Sequence, residues 1–180
     1  MLRDQILDLL LPHLTGVAVV DLQEVGTRLC ITACTVAERA SCPACGTSSR
    51  RVHDRYGRRL ADLGISGRVV TIALTVRRFR CDAAHCPRRT FAEQVEGLTF
   101  RHSRRSRLQR ATLEVIGCHL AGRAGSRLAA MLRCPASPNT LLRRVRALPA
   151  DPPERSPQVL GGGRLRSQAR ARLRHRTDRH

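Results

Sequence analysis

Two cysteine pairs constrain this chain more than any other feature. Cys42-Pro-Ala-Cys45 is followed, after 35 intervening residues, by Cys81-Asp-Ala-Ala-His-Cys86. A C-x2-C knuckle holds two thiolates on one turn, where backbone N–H groups can stabilise sulfur charge. A second pair carried over by a β-hairpin completes a four-cysteine tetrahedral site, and that donor set suits Zn²⁺. The expected ligands are Cys42, Cys45, Cys81 and Cys86, with His85 as the alternative to Cys86. Four thiolates leave no open position for water, so the site reads as structural. They also leave it at −2, and Arg50, Arg80, Arg88 and Arg89 lie near in sequence to offset that charge. The competing readings are four buried cysteines acting as small apolar groups, or iron in place of zinc. Cys30, Cys34, Cys118 and Cys134 read as packing residues, and His53 as a surface histidine.

The segment between the pairs supplies the hairpin. Over 65–81, Val70, Ile72, Leu74 and Val76 alternate with Val69, Thr71, Ala73 and Thr75, the period of a half-buried strand. Upstream, 6–14 predicts a short helix stopped by Pro12. Stretches 17–25 and 27–36 predict two strands joined at Gly26, and 90–98 a further short strand before Gly97.

Beyond residue 100 the period changes. Leu113, Ile116 and Leu120 share a helical face within 103–122, with Gly122 as its expected C-cap. Ser126 is positioned to cap a second helix over 127–132, and Ser137 a third, with Pro138 in its first turn. Leu141, Leu142, Val145 and Leu148 would form the third helix's core face. Long helix, short helix, turn, third helix is the order of a helix-turn-helix domain. With that face inward, Asn139, Thr140, Arg143, Arg144 and Arg146 are free to meet a major groove, where Asn and Arg bind base edges. Arg101, Arg104, Arg105 and Arg107 are the expected phosphate contacts. A small bundle with a solvated basic face is the plain alternative.

Charge supports the first reading. The formal net charge is +19, and all 33 basic residues are arginine. Net charge runs −2 over 1–40, +6 over 41–99, +10 over 100–150 and +5 over 151–180. Such an excess calls for a polyanion, most commonly nucleic acid. Four aromatic residues are too few for single-strand stacking platforms. Neither a cleavable leader nor an apolar run of membrane-spanning length is visible, so a cytoplasmic location with reduced cysteines is expected.

The stretches CPACGTSSRRVHDRYGRRLADL, VRRFRCDAAHCPRRTFAE and SPNTLLRRVRALP resemble the ISL-three family of bacterial insertion-sequence transposases. The resemblance spans about residues 10–160. It rests on both cysteine pairs, the RRF before the third cysteine and the RRTF after the fourth. It implies a zinc finger and helix-turn-helix that bind terminal inverted repeats, ahead of a catalytic core of acidic residues. It departs after Val159-Leu160-Gly161, where the family carries an Asp-containing strand and this chain continues Gly162-Gly163-Arg164. Metal-assisted phosphoryl transfer needs converging carboxylates, and past Gly161 the sequence holds only Asp178. One codon choice for Gly162–Arg166, GGT GGA CGA CTT CGC, reads Val-Asp-Asp-Phe one base later. A frameshift that truncates a transposase is therefore compatible with the arginine-rich tail; a functional arginine arm is the alternative.

The overall expectation is an α+β chain with no catalytic residues. It comprises an N-terminal helix and hairpin (1–40), a zinc-ribbon-like domain (41–99), a three-helix helix-turn-helix domain (100–150), and a linker with a disordered basic tail (151–180). Double-stranded DNA is the expected partner, with intact transposase or a second copy as further ones. A stand-alone zinc-dependent regulator, a zinc-stabilised protein-interaction module and an iron-bearing electron carrier are the competing functions.

Overall fold

Val70, Ile72, Leu74 and Val76 are all fully buried, as their alternation requires, and the strand that carries them organises the molecule. The structure, a computed structural model, describes residues 2–149. The linker and disordered basic tail expected over 151–180 lie outside the described residues. The elements are α1 (Leu2–Leu10), a 3-10 turn (Pro12–Leu14), β1 (Val17–Val25), β2 (Arg28–Thr35), β3 (Ala40–Ser41), β4 (Ser48–Ser49), β5 (Val52–Ile65), β6 (Arg68–Arg80), β7 (Thr90–Ala92), α2 (Arg107–Met131) and α3 (Pro138–Arg146). The main sheet runs β1-β2-β6-β5, with β7 pairing the end of β6. β1–β2 and β5–β6 are antiparallel hairpins, whereas β2 and β6 pair in parallel from Arg28↔Val69 to Cys34↔Thr75. The N-terminal hairpin thus shares one sheet with the strands that follow the first knuckle.

Local chemistry explains the turns. Ser66 and Gly67 join β5 to β6 with φ of 48° and 74°, the two left-handed positions of a tight hairpin turn. One sheet face packs Ile31, Leu60 and the β6 residues against Leu11, Leu14, Val17, Val95 and Leu98. The strand expected over 90–98 is shorter: after β7 the chain turns so that Val95 and Leu98 enter this core. Thr99 Oγ1 accepts from the Val95 N–H at 2.9 Å and fixes that turn.

The helical region departs from expectation at Gly122. No helix ends there: α2 is one 25-residue span capped by Ser106, whose Oγ accepts from the Gln109 N–H at 3.0 Å. Ser126 lies inside α2 and donates to the Ala136 carbonyl (2.7 Å) instead of capping a new helix. The span is sharply bent, however. A Cβ placed on Gly125 would lie 3.5 Å from the Ile116 carbonyl oxygen. In a straight helix nine residues separate groups by roughly 13 Å. Gly117, Gly122 and Gly125 sit at this bend, and glycine is a standard cause of one. They also admit α3: a Cβ on Gly117 would meet Val145 Cγ2 at 2.8 Å, and one on Gly125 would meet Leu141 Cδ1 at 2.9 Å. The sequence therefore locates the change of direction, but not its continuous backbone, because glycine ends a helix or bends it according to what packs there. α3 follows its prediction, with Ser137 Oγ accepting from the Thr140 N–H (3.2 Å), Pro138 in the first turn and Leu141 fully buried.

Candidate metal centre and basic surfaces

The first knuckle is built by its own backbone. The Cys42 N–H donates to the Thr47 carbonyl (2.9 Å), and the Gly46 N–H returns to the Cys42 carbonyl (2.8 Å). Gly46 has φ +75°, which L side chains rarely adopt, so this turn needs glycine. Strand β6 delivers Cys81, whose N–H donates to the Arg89 carbonyl (2.9 Å), and the Cys86 N–H donates to Ala83 (3.2 Å). The Arg88 N–H points at Cys86 Sγ (3.4 Å). Phe79 and Phe91 clamp the two knuckles to the sheet: they pair across β6–β7, stack at 6.0 Å, and bury against Cys42 and Cys86. These are the phenylalanines of the RRF and RRTF stretches.

The four sulfurs converge. Cys42 and Cys86 are 3.8 Å apart, Cys45 and Cys81 3.5 Å, and all four lie within 4.8 Å of one another. A tetrahedral zinc with bonds of about 2.3 Å has sulfur–sulfur edges of about 3.8 Å. The donor set and its spacing fit a metal ion. His85 is exposed and does not join the group. Hydrogen bonds from the Thr47 hydroxyl and N–H hold the Cys45 thiol down to about 6. At Cys81 the Ala83 N–H favours the thiolate, but desolvation and the neighbouring sulfurs outweigh it and push the thiol up to about 12. A divalent cation bound by the four sulfurs would displace thiol protons.

Residues 38–87 match the zinc-finger of transposase IS204/IS1001/IS1096/IS1165. The segment that carries both knuckles and the β5–β6 hairpin is thus similar to that zinc-finger. The match ends before β7, and α2 and α3 lie outside it. No curated protein and no solved structure matches the chain significantly.

The remaining cysteines separate by environment. Cys134 is fully buried, and desolvation pushes its thiol up; Cys30 and Cys34 are half-buried on β2. Cys118, expected to pack, is instead exposed on α2.

The residues expected to meet DNA occupy varied settings. On α3, Asn139, Arg143 and Arg146 are exposed, while Thr140 and Arg144 are half-buried. Thr140 Oγ1 is 3.0 Å from Ser137 Oγ at the helix cap. Desolvation, together with Arg110, Arg143 and Arg105 nearby, lowers the Arg144 guanidinium. Arg101 and Arg104 are exposed on the loop before α2. Arg105 reaches the Pro135 carbonyl (3.4 Å), so it ties the α2–α3 connection. Arg107 donates to the Thr99 carbonyl (3.2 Å) and lies 4.1 Å over the Phe100 ring, where Arg110 also packs.

Sequence reasoning did not find the junction of sheet and helices. Asp62, 1% exposed, accepts from Ser106 Oγ and meets His13 Nε2 at 2.6 Å. Gln109 Nε2 donates to the Asp62 carbonyl (2.8 Å), and the Ser106 N–H to the Ala61 carbonyl (2.9 Å). Desolvation alone would raise the Asp62 carboxyl, but His13 and Ser106 outweigh it and hold it below its ordinary value. A second such pair, Arg77–Glu93 (2.9 Å), seats β7 beside β6. Nothing in the local pattern around Asp62 distinguishes it from a surface carboxylate.

Proposed function

We propose that this chain is a DNA-binding, transposase-derived protein whose zinc ribbon and α2–α3 pair hold duplex DNA at the terminal inverted repeats of an insertion sequence, without cleaving it. The observation that carries this reading is the match of residues 38–87 to a transposase zinc-finger, on a segment whose four sulfurs converge. The exposed Asn139, Arg143 and Arg146 on one short helix support a helix-turn-helix role for α3, with side chains suited to base edges. Zinc is the proposed ion; Cys42, Cys45, Cys81 and Cys86 would hold it, and it supplies structural cross-linking. Double-stranded DNA is the proposed partner, with assembly on intact transposase or a second copy as an extension.

Selection from a pool of duplexes carrying a randomised 30-base-pair core tests the reading. Enrichment of one sequence, found also at the ends of the element that encodes the chain, is expected. An unenriched pool would sink sequence-specific recognition. Strand cleavage of element-end DNA by the purified chain with Mg²⁺ would overturn the non-catalytic assignment.

A further inference from the structure

A cleft of about 1070 Å³ opens between the first knuckle, the β5–β6 surface and the loop before α2. It exceeds the roughly 300–1,000 Å³ of small-ligand pockets. Its lining is unusual in charge. Seven arginines face it against a single carboxylate, Glu93. That carboxylate is 3% exposed and already held by the Arg77 guanidinium and backbone N–H (2.9 and 2.6 Å), so it neutralises none of the seven.

Most of the cleft's cations are uncommitted. Arg39, Arg59, Arg88, Arg101 and Arg104 have no carboxylate partner among the described residues; Arg78 shares Asp54 at 3.4 Å. Arg58 is different. Its Nη2 donates to the Phe100 and Ser103 carbonyls (2.8 and 3.0 Å) and so pins the 100–104 loop against the sheet. The cleft is therefore held open by protein contacts, with five unpaired guanidiniums around it. Like charges gathered this way repel unless an anion is shared between them, and a cleft walled by protein strengthens the field.

We propose that this cleft is a second DNA contact, a track for the phosphodiester backbone of duplex DNA that carries no base specificity. The proposal rests on the DNA-binding reading above and adds to it the arginines of the ribbon and β5. The aromatic content favours duplex over single strand. Tyr56 is half-buried beneath the Arg78 guanidinium (5.5 Å) and Phe91 is buried, so no ring is offered for base stacking. The track also leads toward the helices, since Arg101 and Arg104 on its wall precede Arg105 and Arg107 in the chain.

The test measures binding of the full zinc-loaded chain to a labelled 24-base-pair duplex of arbitrary sequence, across a salt series. Four proteins are compared: wild type, the cleft variant R39A/R59A, the off-cleft variant R28A/R68A with equal charge loss, and the α3 variant R143A/R146A. Arg39 and Arg59 are exposed and make no side-chain hydrogen bond among the described residues, and equal zinc content and circular dichroism confirm folding. We expect R39A/R59A to bind on the order of tenfold more weakly, with the slope of log affinity against log salt reduced by about 1.8. R28A/R68A should keep the wild-type slope. If R39A/R59A matches R28A/R68A while R143A/R146A loses affinity, the cleft proposal falls and the DNA-binding reading stands. If the wild type shows no salt-dependent duplex binding, both fall. If a 24-nucleotide single strand binds more tightly than the duplex and only that binding is lost in R39A/R59A, the duplex assignment is overturned.

Discussion

The zinc ribbon and the α2–α3 pair are both anchored on the β5–β6 hairpin, yet by opposite means. The knuckles contribute two strands of two residues each and a small cluster of Cys42, Cys86, Phe79 and Phe91. Too little apolar surface is buried there to order the loops unaided, so the sulfur site must do it. The helical pair instead buries Leu113, Ile116, Ala129 and Leu141 and joins the sheet through the polar groups around Asp62. One region should therefore depend on an ion and the other on packing, although a single hairpin supports both.

The largest effect should separate the two. Cys86→Ser, or a strong chelator, should remove a contribution on the order of 10 kcal/mol to ordering of the ribbon. Hydrogen exchange should then show fast amides over 40–49 and 81–90, with β6 and α2 still protected. Equal loss of protection in α2 would break the comparison.

Asp62→Asn should act in reverse, loosening α2 while leaving metal stoichiometry intact. Removing one partner of a buried ionic pair costs about 3–5 kcal/mol. The folded carboxyl titrates below its free value of 3.8, so its contribution is present in full above that value. It is lost only as pH falls through the still lower folded value. The stability gap between wild type and Asp62→Asn should therefore be present at pH 5, above the range in which the carboxyl is protonated, as read by denaturant titration. Equal stability of the two proteins at pH 5 would contradict the assignment.

Leu141→Ala removes the fully buried side chain that packs into the bend of α2, and a cost of about 2–5 kcal/mol is expected. Thermal unfolding should show it with zinc content unchanged. The smallest effect belongs to Ser137→Ala, which deletes the α3 cap for about 1 kcal/mol. Circular dichroism of the variant sharpens the comparison if only α3 frays.

Much of the metal centre was legible because its signal is local. Two pairs of thiols at knuckle spacing, with a strongly alternating strand leading into Cys81, leave few arrangements open. Ser137-Pro138 was legible for the same reason, since a cap and a first-turn proline act within one turn. Gly122 shows the limit: a glycine reports freedom of the backbone, and the bend it joins is decided by how closely Val145 and Leu141 approach Gly117 and Gly125. Arg105 and Arg107 show it again. Their charge is legible in the sequence, whereas their contacts with the Pro135 carbonyl and the Phe100 ring come only with the fold.

What the sequence determined by itself is what lies within a few residues or repeats with a fixed period: the knuckles, the buried face of β6, the α3 cap and the basic excess. Only the tertiary structure decided that β2 pairs in parallel with β6, that Asp62 is a buried junction, and that Arg39, Arg59, Arg88, Arg101 and Arg104 share one cleft. The physical reason is that these arrangements join groups tens of residues apart. Their energy depends on partners, burial and shared charge, none of which is encoded in any one stretch of chain.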